Sequence, residues 1–123
     1  MKMQRTRFAF EDLDVWQKAV EFANKVVRLT EEIQFDRKHY RLIEQLEAAS
    51  ASISMNIAEG KGRYSKKEFI QYLYIARGSL YETITLMTIF YKNKWISDQQ
   101  LDEIKLYGDE IGKMISSLIK SIK

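Results

Sequence analysis

Apolar residues recur at spacings of three and four along most of the chain, which is the period of an amphipathic α-helix. The pattern predicts four helices, at residues 14–34, 40–60, 65–92 and 97–122. No segment alternates apolar and polar residues for long enough to predict a strand. Long helices joined by short connections favour antiparallel neighbours. We therefore expect one all-α domain over residues 1–123, an antiparallel up-down-up-down four-helix bundle.

The helix boundaries have their own signals. Ser65 is followed three residues later by Glu68, and Ser97 by Gln100, so both pairs match the capping box that begins a helix. The chain has no proline and only five glycines, which favours long uninterrupted helices. Gly108 and Gly112 stand four residues apart in the last helix, and this spacing predicts a point where another helix packs closely.

The third predicted helix is apolar around most of its circumference. Between Phe69 and Tyr91, only Arg77 and Glu82 are charged. Such a helix is covered on both sides or lies in a membrane, and each central charge opposes membrane insertion by ~2.5–3.5 kcal/mol. We therefore expect no membrane contact and a homo-oligomer with this helix at the subunit interface. The candidate interface residues are Tyr74, Ile75, Arg77, Tyr81, Leu86 and Ile89.

Two finer expectations concern the same helix. At ~100° per residue, Ile75, Leu86 and Ile89 fall opposite the core-facing stripe, where a lone bundle would meet water. Arg77 is expected to stack on Tyr81 or to pair with Glu82 of another subunit, because a charge in apolar surroundings needs a partner.

Composition excludes several kinds of chemistry. The chain has no cysteine and one histidine, so it offers no disulfide, thiol nucleophile or multi-histidine metal site. His39 lies in a charged connection and is expected to be solvated. No phosphate-binding glycine loop or nucleophile-elbow motif occurs. We therefore predict no catalytic residues, no metal and no cofactor, in a protein that is not an enzyme. The N-terminus lacks an apolar signal segment, which favours the cytoplasm.

The most suggestive polar feature is a basic turn between the second and third helices. The net charge of the chain is only +3, but four cations stand close together here: Lys61, Arg63, Lys66 and Lys67. Backbone N–H groups at a helix start bind phosphate, and neighbouring cations assist. Two interpretations stay open, a solvated loop and a nucleic-acid site that an oligomer would repeat. Other cations that would extend the patch are Arg5, Arg7, Arg37, Lys38 and Arg41.

Three stretches resemble a known bacterial family of four-helix bundle proteins, also called 23S rRNA-intervening sequence proteins. The first stretch runs from Phe10 to Ala19 and reads FEDLDVWQKA, and the second is Asn56-Ile-Ala-Glu-Gly60. The third combines Ser65-Lys-Lys-Glu-Phe69 with Tyr74-Ile-Ala-Arg-Gly-Ser-Leu-Tyr-Glu82. The chain departs from the family pattern in its second helix, where Glu47-Ala48 replaces a common arginine pair and no proline precedes Asn56.

The resemblance implies an antiparallel bundle that assembles as a homopentamer, in a family with no established enzymatic activity. A distant similarity to the accessory variability protein of diversity-generating retroelements implies a basic ring that works with nucleic acid. The first functional hypothesis is therefore a ring-forming bundle that binds RNA or DNA. The alternative is a scaffold that binds a partner protein without touching nucleic acid.

Overall fold

The computed structural model describes residues 5–33 and 39–123, and these residues form four long helices and no strand. A short 3-10 helix, Ala9–Asp12, precedes the first of them. The long helices are α1 (Asp14–Glu32), α2 (Tyr40–Lys61), α3 (Lys66–Lys92) and α4 (Asp98–Ile122). Each begins within one residue of its predicted start. Helix α1 ends at Glu32, and its predicted end, residue 34, lies outside the described residues.

Helix termini form where their capping side chains stand. The Ser65 hydroxyl accepts a hydrogen bond from the Glu68 N–H at 3.1 Å and so begins α3. Ser97 and Gln100 form a complete capping box, because each side chain bonds the other's backbone. Lys94 adopts a positive φ of 65° in the tight connection between α3 and α4.

The four helices pack as a bundle around one apolar core. Helix α2 contacts α1 and α3, and α4 contacts α3 and α1. Each helix contributes residues at helical spacing to this core, which contains the fully buried side chains of Phe22, Ile53, Leu73, Phe90 and Ile111. Two hydroxyl groups are also fully buried, those of Ser50 and Thr83, and each donates a hydrogen bond to a carbonyl of its own helix.

The glycines of α4 mark a close helix crossing, as their spacing predicts. A Cβ atom at Gly108 would lie 3.1 Å from Ile84 Cδ1 and 3.2 Å from Leu80 Cδ1. At Gly112 it would lie 3.4 Å from Leu80 Cδ2. The absence of two side chains therefore lets α4 approach the leucine and isoleucine of α3.

Candidate functional site

The basic turn connects the end of α2 to the start of α3. Lys61 is the last residue of α2, and Lys66 and Lys67 are the first two of α3. All four predicted cations are exposed, Arg63 among them. Tyr64 stands between them with its side chain fully exposed. The turn therefore presents positive charge and one aromatic ring to solvent, as the sequence indicates.

The turn is held tightly at its base. A Cβ atom at Gly60 would lie 2.6 Å from Tyr72 Cβ, so only glycine allows α2 to pass this close to α3. The Gly62 N–H lies 3.3 Å from the Ala58 carbonyl and 3.2 Å from the Glu59 carbonyl, which closes the last turn of α2. The cations consequently extend from a fixed backbone.

The four cations differ in their surroundings. Arg63 bonds the Glu59 carboxylate at 3.2 Å and the Tyr72 hydroxyl, and its guanidinium lies 4.8 Å from the centre of the Tyr72 ring. Lys61 lies 5.9 Å from the centre of the Phe69 ring. Within the described part of the chain, none of the three lysines of the turn forms a salt bridge. The lysines are therefore available to an anion. Arg63 would first have to release the Glu59 carboxylate or the Tyr72 hydroxyl before it could bind one.

The position of Lys66 and Lys67 is unusual for cations. The N-terminus of a helix carries partial positive charge, so lysines in the first turn are electrostatically unfavourable. The same N-terminus and lysines together favour a bound phosphate group. Glu68 relieves part of the repulsion, and its carboxylate lies 3.2 Å from the Ser65 hydroxyl.

The predicted extension of this patch is wrong for Arg41. That residue is in the first turn of α2, about 30 Å along the helix from Lys61 at ~1.5 Å per residue. Arg7 pairs with Asp12, and Arg5 is exposed. Arg37 and Lys38 lie outside the described residues.

Exposed apolar side chains form a second candidate surface, on the outer face of α3. Tyr74 is 42% exposed, Ile75 51%, Tyr81 59% and Ile89 39%. The prediction that Leu86 faces water is wrong, because it is 4% exposed and belongs to the core. Its neighbours three residues before and four after, Thr83 and Phe90, are fully buried, so the buried stripe of α3 is wider than the sequence indicates.

Arg77 stacks on Tyr74 rather than on Tyr81 as expected, and its expected pair with Glu82 of another subunit stays a prediction. Its guanidinium lies 4.9 Å from the centre of the Tyr74 ring, and its Nη1 donates to the Ser116 hydroxyl of α4 at 3.3 Å. Within the described residues, it makes no ion pair with Glu82. The charge is therefore satisfied inside one subunit, between α3 and α4.

An open groove between α3 and α4 was not predicted. Its volume is about 870 Å³, and its apolar lining consists of Leu80, Ile84 and the two glycines of the crossing. Polar residues border it: Lys105, Asp109, Lys113, Ser116, Ser117 and Lys120 on α4, and Tyr81 and Thr85 on α3. The glycine spacing in α4 was the one sequence signal for it, since missing side chains leave room above a helix crossing.

The remaining chemistry-bearing residues are not brought together. His39 is partly buried rather than solvated, and its ring lies 4.4 Å from that of Trp95. No group of three or more histidine, aspartate or glutamate side chains is arranged to hold a metal among the residues described.

The helices described include none that is long and apolar enough to cross a membrane.

Comparison with known proteins agrees with the helices and the motifs. The family model of the 23S rRNA-intervening sequence protein matches residues 11–117. The chain belongs to this family. A solved structure, a protein of unknown function from the S23 ribosomal protein family of Bacteroides thetaiotaomicron, is similar at 29% identity and a TM-score of 0.79. The match covers 86% of this chain and 98% of that one, so the 23S rRNA-intervening sequence protein fold extends over nearly all of both. No curated protein matches the chain.

Proposed function

We propose that the protein is a non-catalytic, homo-oligomeric four-helix bundle of the cytoplasm that binds RNA through the basic turn of each subunit. One observation carries this proposal: Lys61, Lys66 and Lys67 are exposed around the exposed Tyr64, on a turn whose base is closely packed, with no salt bridge among the described residues. Phosphate contacts from such cations give binding that is weakly specific for sequence and falls steeply with salt.

The proposed arrangement of the helices is antiparallel, up-down-up-down. Contacts between α1 and α4 support it: Lys18 pairs with Glu110 at 2.8 Å, and Lys25 with Glu103 at 3.8 Å. As residue numbers rise along α1, the numbers of the partners on α4 fall, which is the order expected of antiparallel helices. Helices α2 and α3 show the same order, because Ser52 bonds Ser79 and Gly60 contacts Tyr72.

Self-association is supported by the outer face of α3. Exposing its four large side chains to water forgoes part of the ~1.5–3 kcal/mol that each gains on full burial. The ring is proposed to be a pentamer because the resemblance to the four-helix bundle family implies a homopentamer. A ring repeats the basic turn once per subunit, so cations that are few in one chain become a large positive surface.

RNA is the proposed ligand because the basic turn combines helix-terminal N–H groups, lysines and an aromatic ring. Tyr64 adds a surface on which an unpaired base can stack. The second candidate function is a scaffold for a partner protein, and the exposed apolar face of α3 is the observation that favours it.

The experiment compares two variants that each lose four positive charges. The first replaces Lys61, Arg63, Lys66 and Lys67 with alanine. The control replaces four exposed cations outside the turn, Arg28, Arg41, Lys92 and Lys94. Retention of single-stranded RNA on a filter is measured for both and for the wild-type protein at several salt concentrations.

We expect the basic-turn variant to bind at least tenfold more weakly, with a smaller dependence on salt, since fewer counterions are released. The control variant should bind like the wild-type protein apart from a small loss. Equal RNA binding by the basic-turn variant and the wild-type protein would falsify the proposal. Equal weakening of both variants would show that net charge, rather than the turn, attracts RNA.

A further inference from the structure

Gly78 is an exposed glycine in the middle of α3, and among the described residues no side chain or backbone requires a glycine there. A Cβ atom built there would meet no heavy atom within 4 Å. By contrast, Gly60 and Gly108 would bring a Cβ to 2.6 and 3.1 Å from neighbouring side chains. Glycine is, after proline, the least favourable residue in a helix interior. A helical glycine serves where another backbone approaches closely, and among the described residues none does so at Gly78.

The surroundings of Gly78 are those of an interface centre. Tyr74 and Tyr81 lie one turn before and after it, and Ile75 stands beside it. Together with Ile89, these half-exposed side chains leave on the order of 400 Å² of surface in water, within the ~300–600 Å² of the largest patch on a typical monomer. A standard interface covers ~800 Å² on each partner. The α3–α4 groove beside this face supplies further area.

Helix α2 of the same chain carries a face that fits this surface. The exposed residues Glu44, Ala48, Met55 and Glu59 and the partly buried Ala51 recur at helical spacing. Met55 is 64% exposed, and the alanines are small enough to let two helices approach closely. The central part of this face is therefore narrow and apolar, and a glutamate stands near each end, with exposed Arg41 one turn before Glu44 and Arg63 paired with Glu59.

Charge is complementary between this face and the groove. Lys105 and Lys120 border the groove fifteen residues apart on α4, a distance of about 22 Å along the helix. Glu44 and Glu59 are separated by the same fifteen residues of α2. Glu59 now bonds Arg63, and the groove's third lysine, Lys113, bonds Asp109 at 3.1 Å. Both ion pairs are on the surface and contribute little to stability, so pairs between subunits can replace them at little cost.

We infer that α2 of a second copy of this chain lies across α3 at Gly78, with Glu44 and Glu59 over the lysines of the α3–α4 groove. The contact joins two different faces of the subunit. Such a heterologous contact, repeated by each copy, gives a ring where its rotation closes and an open filament where it does not. The inference rests on the self-association in the proposed function and adds which helices meet.

Because the chain has no cysteine, single cysteines test this contact directly. Met55→Cys on α2 and Thr85→Cys on α3 are co-expressed, and the mixed oligomer is treated with a short bismaleimide. Each subunit then carries one thiol, so no crosslink forms within a subunit. The matched control pairs Met55→Cys with Asn24→Cys, an exposed position on α1. Intact mass identifies the crosslinked pairs, and native mass gives the oligomeric state.

We expect abundant crosslinking between Met55→Cys and Thr85→Cys chains, and little from either variant alone or from the control pair. Efficient crosslinking of Thr85→Cys with itself would overturn the inference, since α3 would then face α3. An intact oligomer without the mixed crosslink would overturn it too and leave the proposed function standing. A single-chain native mass would overturn both the inference and the proposed self-association.

A second variant tests the close approach at Gly78. Gly78→Ala favours the helix of an isolated subunit, so any loss of association reports the contact between subunits. We expect its association constant, from sedimentation, to fall at least tenfold. The same replacement at Gly62, where a Cβ would be 3.5 Å from the nearest atom, should leave association unchanged. Wild-type association by Gly78→Ala would contradict the close crossing.

Discussion

Gly60 of α2 lies against Tyr72 of α3 so closely that an added Cβ atom would be 2.6 Å from Tyr72 Cβ. The same tyrosine receives the Arg63 guanidinium on its ring and a hydrogen bond from it at its hydroxyl. One side chain therefore joins the helix crossing to the basic turn. The position of the lysines depends on this crossing, because Gly60 is the residue directly before Lys61.

Replacing Gly60 with alanine should destabilise the protein. The added methyl group forces the two helices apart, and overpacking of this kind costs about 1–3 kcal/mol of unfolding free energy. Urea denaturation at a fixed protein concentration measures the change. Gly62→Ala is the control and should alter the unfolding free energy by less than ~0.5 kcal/mol. Equal stability of the two variants would mean that the backbones do not approach as closely as described.

Tyr107 should make stability depend on alkaline pH. Burial, followed by its hydrogen bond to the Glu21 carboxylate, raises the pKa of Tyr107 to about 12 from the usual 10.0. Below pH 10 the phenol is protonated in both states. Between about 10 and 12 the unfolded chain loses the proton and the folded chain keeps it, so the free energy of unfolding falls as pH rises.

Urea denaturation on both sides of pH 10 tests this dependence. Tyr107→Phe should lose less stability over the interval than the wild-type protein, because the replaced side chain does not ionise. Tyr64→Phe alters a fully exposed ring and should keep the wild-type pH dependence. The account of Tyr107 fails if both variants lose stability in parallel with the wild type.

Ser97→Ala should weaken the start of α4. The Ser97 hydroxyl accepts from the Gln100 N–H at 3.1 Å, and loss of such a cap costs about 1 kcal/mol. Ser121→Ala near the other end of α4 removes an exposed hydroxyl that bonds the Leu118 carbonyl of its own helix. Thermal unfolding should therefore separate the two variants, and coincident curves would contradict the capping role.

RNA binding should respond to salt in proportion to the phosphate contacts. For single strands, log K falls against log salt with a slope of about −0.7 per phosphate neutralised. Lys66→Ala should make this slope shallower in an oligomer by roughly that amount for each subunit in contact with the RNA. Lys92→Ala is the matched control at the far end of α3. Identical slopes for Lys66→Ala and the wild-type protein would place the phosphates elsewhere.

The helices were predictable because periodicity and capping are local properties of the sequence. Ser97 forms the predicted capping box at α4, Ser65 caps α3 through its hydroxyl while Glu68 bonds that hydroxyl instead of the Ser65 backbone, and the glycines of α4 lie at a close crossing. Leu86 was not predictable, because the width of the buried stripe depends on how neighbouring helices tilt against α3. The hydrogen bond from Arg77 to Ser116 was not predictable for a similar reason, because the two residues are distant in sequence.

The basic turn was likewise predictable in its residues but not in their contacts. Its residues were evident from sequence, because four cations in eight positions need no fold to be noticed. That Glu59 and Tyr72 hold Arg63, while the lysines have no salt bridge among the described residues, required the positions of two helices. The groove above Gly108 and Gly112 likewise depends on the separation of α3 from α4.

Native mass spectrometry of the protein purified from cells, before and after nuclease treatment, tests the central claim most directly. The account predicts a whole multiple of the 14.6 kDa subunit, with additional mass from bound RNA that nuclease removes. The multiple itself should persist after the treatment, because the proposed contact joins the subunits through α3 and not through RNA. A single-chain mass in both samples, with no bound nucleic acid, would contradict both the self-association and the RNA binding.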